Sequence, residues 1–244
     1  MTKLLVTGAK GRMGQAVISC AEKSDQAQVG AQIDMGDSLK EALEGCNTVI
    51  DFSHHSFTTE LLEACLEQKV KVVTGTTGHN DEELAFINKA AESIAIVKAP
   101  NFSVGVNTLF YLTRRATEIL GENFDLEVVE MHHRDKVDSP SGTARRLVEI
   151  LDETRGLSYD DNTMHGRHGD VGPRSNTEIG LHAVRGGDVV GDHTVIYAGS
   201  GERVELTHKA SSRDTFACGA VRAALWLQNK DHGLFDMQDV LELK

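Results

Sequence analysis

The amino-acid sequence predicts an α/β protein: a doubly wound parallel sheet in one domain, and a second α+β domain containing a mixed or antiparallel sheet. Three observations carry that prediction. Short β-branched runs alternate with helical periodicity from Met1 to about Phe102, a glycine-rich turn joins the first run to the first helix, and three closely spaced strand-like runs follow a change of texture in the second half.

In the first part, Leu4 to Thr7, Val29 to Ile33, Thr48 to Phe52, Val70 to Thr74 and Ile94 to Val97 read as strands. They are near-continuously apolar, as strands covered on both faces must be. Met13 to Ala21, Phe57 to Leu66 and Glu82 to Ala91 read as the intervening helices, the second with Leu61, Leu62, Cys65 and Leu66 on one face. A further helix is expected from about Val106 to Leu120, then a partly alternating strand from Phe124 to His133, a helix from Pro140 to Glu153 and a polar, glycine-rich loop from Asp160 to Ser175. Glu178 to Val184, Val189 to Ala198 and Arg203 to Lys209, separated by Arg185-Gly186-Gly187-Asp188 and Gly199-Ser200-Gly201-Glu202, suggest an antiparallel meander. Thr215 to Leu227 is helical and Ala-rich like the first part, so the chain is expected to return to its first domain: residues 1–103 and 213–244 in one domain, 104–212 in the other.

Composition narrows the function classes. Thirty-seven acidic against 25 basic residues give a net charge of -12 and a pI ≈ 5.3, a field that repels nucleic acid and anionic membrane surfaces. No apolar run approaches membrane-spanning length, and Met1-Thr2-Lys3 runs straight into the first strand with no room for a signal peptide's apolar segment, so a cytoplasmic chain is expected. Cys20, Cys46, Cys65 and Cys218 lie in apolar settings without C-x-x-C spacing, which favours buried free thiols over disulfides or zinc ligands.

Gly8-Ala9-Lys10-Gly11-Arg12-Met13-Gly14 follows the first strand and opens the first helix. Glycine there allows a tight turn and lets backbone amides approach a pyrophosphate, whose charge the helix N-terminus favours. The spacing is G-x-x-G-x-x-G, a departure from the commoner G-x-G-x-x-G. Asp34 ends the second strand, where a carboxylate can accept hydrogen bonds from ribose hydroxyls. Gly75-Thr76-Thr77-Gly78 and Ala99-Pro100-Asn101-Phe102 follow strand ends on the same edge, where a doubly wound sheet of this Rossmann-like kind binds its ligands. Dinucleotide binding is the best reading of the four loops together.

A second constellation lies in Glu130-Met131-His132-His133-Arg134-Asp135-Lys136 and the following Asp138-Ser139-Pro140-Ser141-Gly142-Thr143. With Ser139 as N-cap and Pro140 at the first helical position, the amides of Ser141 and Gly142 lack intrahelical partners, and the Ser141 and Thr143 hydroxyls can join them in a carboxylate cradle. His132 and His133 face opposite sides of a strand, which weakens a shared metal and suits proton transfer, with Lys136 stabilising charge. The remaining histidines show no shared face or sustained ligand spacing, and no metal site is expected.

These segments, together with Arg185-Gly186-Gly187-Asp188, His208-Lys209-Ala210-Ser211-Ser212-Arg213 and Phe216-Ala217-Cys218-Gly219-Ala220-Val221-Arg222, resemble the dihydrodipicolinate reductase family from end to end. The His-His-Arg-x-Lys-x-Asp-x-Pro-Ser-Gly-Thr-Ala string is far more specific than the glycine loop. The resemblance implies that residues 8 to 13, Asp34, Gly75 to Thr77 and Ala99 to Phe102 bind NADH or NADPH. It implies that His132 and Lys136 are proton donors, and that His133, Gly142 and Thr143 hold a cyclic imine dicarboxylate. It further implies loss of the C4 hydroxyl as water, hydride delivery to C4 and protonation of the resulting enamine at C3, in diaminopimelate and lysine biosynthesis, by a homotetramer built through the second domain's sheet. Longer members carry an insertion between Asp34 and Asn47, and members favouring NADPH often have a basic residue where this chain has Met35, which leaves Lys10 and Arg12 as the nearest partners for a 2′-phosphate. Two rival readings keep the nucleotide domain: another small-substrate oxidoreductase, which leaves the Pro-Ser-Gly-Thr cradle unexplained, and a nucleotide-sensing regulator without chemistry.

Overall fold

The computed structural model describes residues 1–244 as two compact units, Met1–Val104 with Arg213–Lys244, and Gly105–Ser212. In chain order the elements are β1 (Thr2–Thr7), α1 (Arg12–Glu22), β2 (Ala27–Ile33), α2 (Leu39–Leu43), β3 (Thr48–Asp51), α3 (Thr58–Gln68), β4 (Lys71–Thr74), α4 (Asp81–Ala91) and β5 (Ala95–Lys98). There follow α5 (Val104–Leu120), β6 (Asp125–His132), α6 (Gly142–Arg155), α7 (Tyr159–Asn162), β7 (Thr163–His165), β8 (Ile179–Arg185), β9 (Gly191–Ala198) and β10 (Arg203–Ala210). The chain ends with α8 (Asp214–Trp226), β11 (Gly233–Phe235) and α9 (Met237–Val240).

The first unit is a six-stranded, all-parallel sheet in the order β11-β5-β4-β3-β1-β2. Its central strands are apolar through their middles, at Leu4 to Val6, Val49 and Ile50, Val72 and Val73, and Ala95 to Val97, because both faces are covered. Leu4, Val6, Ile50, Val73 and Val97 pack toward α1, α8 and α9, while Leu5, Val49, Val72 and Ile96 pack toward α2, α3 and α4. α8 rests on the loop after β5 at Gly219, where a Cβ would sit 1.8 Å from the Phe102 carbonyl oxygen, so no larger residue fits. β11 and α9, which carry no strong sequence signal, complete the sheet edge. No helix is long and apolar enough to cross a membrane.

One expectation fails here. Cys20 and Cys218 form a disulfide, whereas Cys46 and Cys65 are free. The absence of C-x-x-C spacing concerns only near neighbours in sequence. The bond instead follows from α1 packing on α8, which brings two Cα atoms 198 positions apart to within 5.4 Å.

The second unit is a five-stranded mixed sheet in the order β10-β9-β6-β8-β7. The expected meander is therefore wrong in one respect: β9 and β10 are antiparallel neighbours, but β6 lies between β8 and β9, parallel to the first and antiparallel to the second. The 186–190 connection is a crossover past the end of β6 rather than a hairpin turn, tied there by Gly186 N to His132 O at 2.9 Å and Arg134 N to Gly187 O at 3.1 Å. Insertion of β6 pairs both edges of the strand that carries the site. β7 is a second departure, since it arises within a segment that reads as loop and extends the sheet in parallel with β8.

Alternation along these strands decides what is buried. Leu126 and Val128 of β6, Ile179 and Leu181 of β8, and Val195 and Tyr197 of β9 face α5 and α6, where Leu109, Leu147, Val148 and Leu151 complete the core. The Tyr197 hydroxyl, fully buried, donates to Thr113 O at 2.9 Å, which satisfies it. The opposite sheet face, including Val129, Met131, Val184 and Ile196, is only half covered or exposed.

Candidate active site

In the first unit, Gly8 adopts φ +59°, a left-handed conformation that favours glycine, and Gly11 N donates to Gly8 O at 2.9 Å to close the turn. Gly14 serves packing: a Cβ there would lie 2.3 Å from Gly8 O, so the helix can rest on the loop only without a side chain. No side chain caps α1, and its first amides are left for a ligand. Asp34 accepts from Lys10 N and Met35 N, each at 2.9 Å, and these backbone bonds hold its carboxyl below the usual range. Asp34 therefore braces the glycine loop besides facing a cleft of ≈ 640 Å³ lined by Thr7, Gly8, Asp34, Met35, Asp37 and His54, among others. A cavity of that size accommodates a nucleotide, and Asp34 on its wall is an acceptor for ribose hydroxyls.

The loops after β3 and β4 are organised by a residue that sequence reasoning missed. Asp51, 1% exposed at the end of β3, accepts from Thr7 Oγ1 at 2.6 Å, Ser53 Oγ at 2.5 Å, Thr74 Oγ1 at 3.0 Å and Thr76 Oγ1 at 2.7 Å. Gly75 lies against the Phe52 ring, where a Cβ would come within 2.1 Å, while Thr77 is exposed. Ala99 is buried, with its amide on Thr74 O at 3.2 Å. Phe102 is a core residue, 1% exposed and edge-on to Phe52 at 5.6 Å, so its side chain supports the loop from beneath. Pro100 and Asn101 lie at the surface of that turn, exposed and half-buried respectively.

In the second unit, the inward face of β6 changes from apolar to ionisable at its end: Leu126, Val128, Glu130, His132. His132 is 8% exposed, and its Nδ1 lies 2.5 Å from Oε2 of the fully buried Glu130. Arg185, at the end of β8, clamps the same carboxylate with two bonds of 2.8 and 2.9 Å. Ser141 N donates to the remaining Glu130 oxygen at 3.0 Å. Burial alone would raise the Glu130 pKa; the bonds from Arg185, His132 and Ser141 outweigh it and bring it below the usual range. His193 of β9 stacks edge-on with His132 at 5.1 Å and lies 3.1 Å from Ser141 Oγ. Burial first, then the neighbouring His132, pushes its pKa down to about 3, so it is neutral.

The start of α6 differs from expectation. Ser141, not Ser139, is the N-cap, its Oγ accepting from Ala144 N at 3.2 Å, and the helix begins at Gly142 after a cis Ser139-Pro140 peptide. The reason is Glu130, whose carboxylate holds the Ser141 amide and keeps that residue extended. The first turn of the helix after Ser141 thus begins with Gly142 and Thr143, and the polar atoms of Ser141 are engaged within the protein. His133 is half-exposed just beyond β6, and Lys136 Nζ pairs with Asp138 at 2.8 and 2.9 Å. Glu130 and His193 were legible in principle, as ionisable residues on the apolar face of a strand; Arg185 was hidden by the hairpin reading.

Residues 2–102 match the family described as dihydrodipicolinate reductase, N-terminus, and residues 105–241 match dihydrodipicolinate reductase, C-terminus. The chain belongs to the dihydrodipicolinate reductase family. It is 56% identical over 243 residues to a 4-hydroxy-tetrahydrodipicolinate reductase of Akkermansia muciniphila, covering 100% of this chain and 99% of that one. It is 46% identical over 263 residues to the enzyme of the same name from Chromobacterium violaceum, covering 99% and 98%. Its fold is similar to that of a dipicolinate-bound dihydrodipicolinate reductase from a Paenisporosarcina species, with a TM-score of 0.79, 24% identity and 98% of each chain covered. The family resemblance and the fold class read from the sequence thus hold, and the chain is an oxidoreductase with a nucleotide-binding Rossmann domain.

Proposed function

We propose that the protein reduces 4-hydroxy-tetrahydrodipicolinate to tetrahydrodipicolinate, with oxidation of one NADH or NADPH, uptake of one proton and release of one water. The observation that carries this reading is the buried His132, oriented by Glu130, in the same unit as the start of α6 and four residues from Lys136. A bound nicotinamide supplies the hydride; the residues of the second unit hold the dicarboxylate and manage protons. The Gly142 and Thr143 amides and the Thr143 hydroxyl bind one carboxylate, Ser141 anchors that turn, and His133 and Lys136 bind the rest of the anion. His132 and Lys136 donate the proton taken up at C3, Lys136 exchanging Asp138 for substrate.

In the first unit the coenzyme is held by Gly8 to Met13, with its ribose on Asp34, and by the loops Gly75 to Thr77 and Ala99 to Phe102. Asp34 stays ionised and Asp37 lies beside it, its carboxylate accepting from Asp34 N at 2.8 Å, so a 2′-phosphate meets negative charge at this wall of the cleft. NADH is accordingly expected to serve at least as well as NADPH. The half-covered face of the second sheet, with Val129, Met131, Val184 and Ile196, supports a homotetramer assembled through it. A cytoplasmic location accords with this small soluble substrate.

The test is coenzyme oxidation, followed by absorbance, with the cyclic substrate generated in situ from pyruvate and aspartate semialdehyde. Substrate-dependent oxidation is expected with both coenzymes. No oxidation with either would remove the reading, and a preference for NADPH of about tenfold or more would remove the assignment of Asp34 and Asp37.

A further inference from the structure

Glu130 is the most heavily engaged carboxylate of the second unit. It has no exposure to solvent, and its two oxygens receive four hydrogen bonds: His132 Nδ1 and Arg185 Nη1 on Oε2, Ser141 N and Arg185 Nη2 on Oε1. An ionised carboxylate only accepts, so a ring nitrogen 2.5 Å from it must carry the proton. That assigns the proton to Nδ1 and leaves Nε2 as the nitrogen with a free valence. The other side of the ring is equally specific. A Cβ at Gly191 would come 2.9 Å from His132 Nε2, so the strand beside it is bare where that nitrogen needs room.

We propose that Glu130 is the positioning residue for the proton-donor histidine, fixing His132 with Nδ1 protonated and Nε2, beside the side-chain-free Gly191, as the reacting nitrogen. This rests on the reading of His132 as a proton donor. Because the same carboxylate holds the Ser141 amide, Glu130 also sets the start of α6 relative to the imidazole, so one residue aligns proton donor and carboxylate cradle. Arg185 serves as the counter-ion that lets the buried carboxylate remain charged. The charged and titratable groups facing the ring are Glu130 on its own strand, Arg185 from β8, His193 from β9 with His208 of β10 behind it, and Lys136 from the loop. Of these His193 is neutral, so the charge that answers a protonated His132 is that of Glu130.

The experiment compares the full chain with Glu130→Gln, His132→Gln, the double variant and Gly191→Ala, measuring kcat, KM, NADH affinity and the pH profile of kcat. Glu130→Gln is isosteric but removes the negative charge and presents an amide N–H to Nδ1. It should lower kcat by at least about tenfold, leave NADH affinity unchanged, and move the alkaline limb of kcat to lower pH, because an imidazolium without its carboxylate yields its proton more readily. A residue that merely supports packing does not move that limb. The double variant should be no slower than His132→Gln alone, since Glu130 acts through the ring. Gly191→Ala should lower kcat by crowding Nε2. Wild-type kcat and pH profile in Glu130→Gln, or penalties that multiply in the double variant, would overturn the proposal. Normal turnover in His132→Gln would instead remove the underlying reading of the proton donor. Should Glu130→Gln not fold, ¹⁵N NMR of the wild-type imidazoles decides: neutral His132, assigned by its absence in His132→Gln, must carry its proton on Nδ1, and a proton on Nε2 overturns the assignment.

Discussion

Asp34 places its two carboxylate oxygens on two backbone amides, Lys10 N and Met35 N, and the Asp37 carboxylate accepts from the Asp34 amide, so negative charge at this end of the cleft is fixed by the fold. Met35 beside it is 97% exposed and lines the cleft without contributing charge. Met35→Arg is therefore expected to shift the NADPH to NADH ratio of kcat/KM toward NADPH by about tenfold, since a guanidinium there offers a 2′-phosphate a charged, bidentate partner. The ratio measured for variant and wild type checks this, and an unchanged ratio would count against the placement of the ribose. Lys136 poses a different problem, because its ammonium is paired with Asp138 at 2.8 Å and, in the role proposed for it, gives up that partner to substrate. Lys136→Ala should depress kcat and raise the substrate KM. Lys136→Arg should recover only part of the loss, because the planar guanidinium is bulkier and does not readily yield a proton. Full recovery in steady-state kinetics would reduce Lys136 to an anion holder.

The helix α6 carries a residue that neither the chemistry nor the packing explains. Asp152 is 4% exposed, neither carboxylate oxygen has a hydrogen-bond partner, and burial followed by Glu149 and Glu153 raises its pKa to about 6. The folded value lies above the unfolded one of about 3.9, so the native state binds the extra proton between those values and loses stability as pH rises through them. Asp152→Asn should stabilise the protein by on the order of 1–2 kcal/mol at about pH 8, the gain fading by about pH 4. Melting curves across that range test it, and an equal gain at every pH would contradict the assignment. Elements also show how far the sequence was legible. The parallel sheet was readable because the middles of β1, β3, β4 and β5 are continuously apolar, and the glycine turn because Gly8 and Gly14 have backbone reasons to lack side chains. Insertion of β6 between β8 and β9 was not, since a glycine-rich connection serves a hairpin or a short crossover equally well. The N-cap was misplaced because Ser139-Pro140 satisfies the local rule, while the residue that decides the matter, Glu130, is distant in sequence and adjacent only once the sheet forms.

At the scale of the whole molecule, the same limitation accounts for the disulfide: helix packing between α1 and α8, not local spacing, pairs Cys20 with Cys218. The proposed assembly uses the half-covered face of the second sheet, where Val129, Met131, Val184 and Ile196 lie. Light scattering at micromolar concentration should give the mass of four chains, and a monomer would contradict assembly through that face. The proposed reaction draws on both units, one for the coenzyme and the other for the dicarboxylate and its proton, so turnover by the full chain is what tests it. The most direct measurement is mass spectrometry of the product, paired with the amount of NADH consumed. The expected result is one NADH oxidised for each molecule of a product that retains both carboxylates and is lighter than the substrate by one oxygen atom, as loss of water and gain of two hydrogens require. NADH consumption without that product, or no consumption at all, would contradict the reaction assigned to the protein.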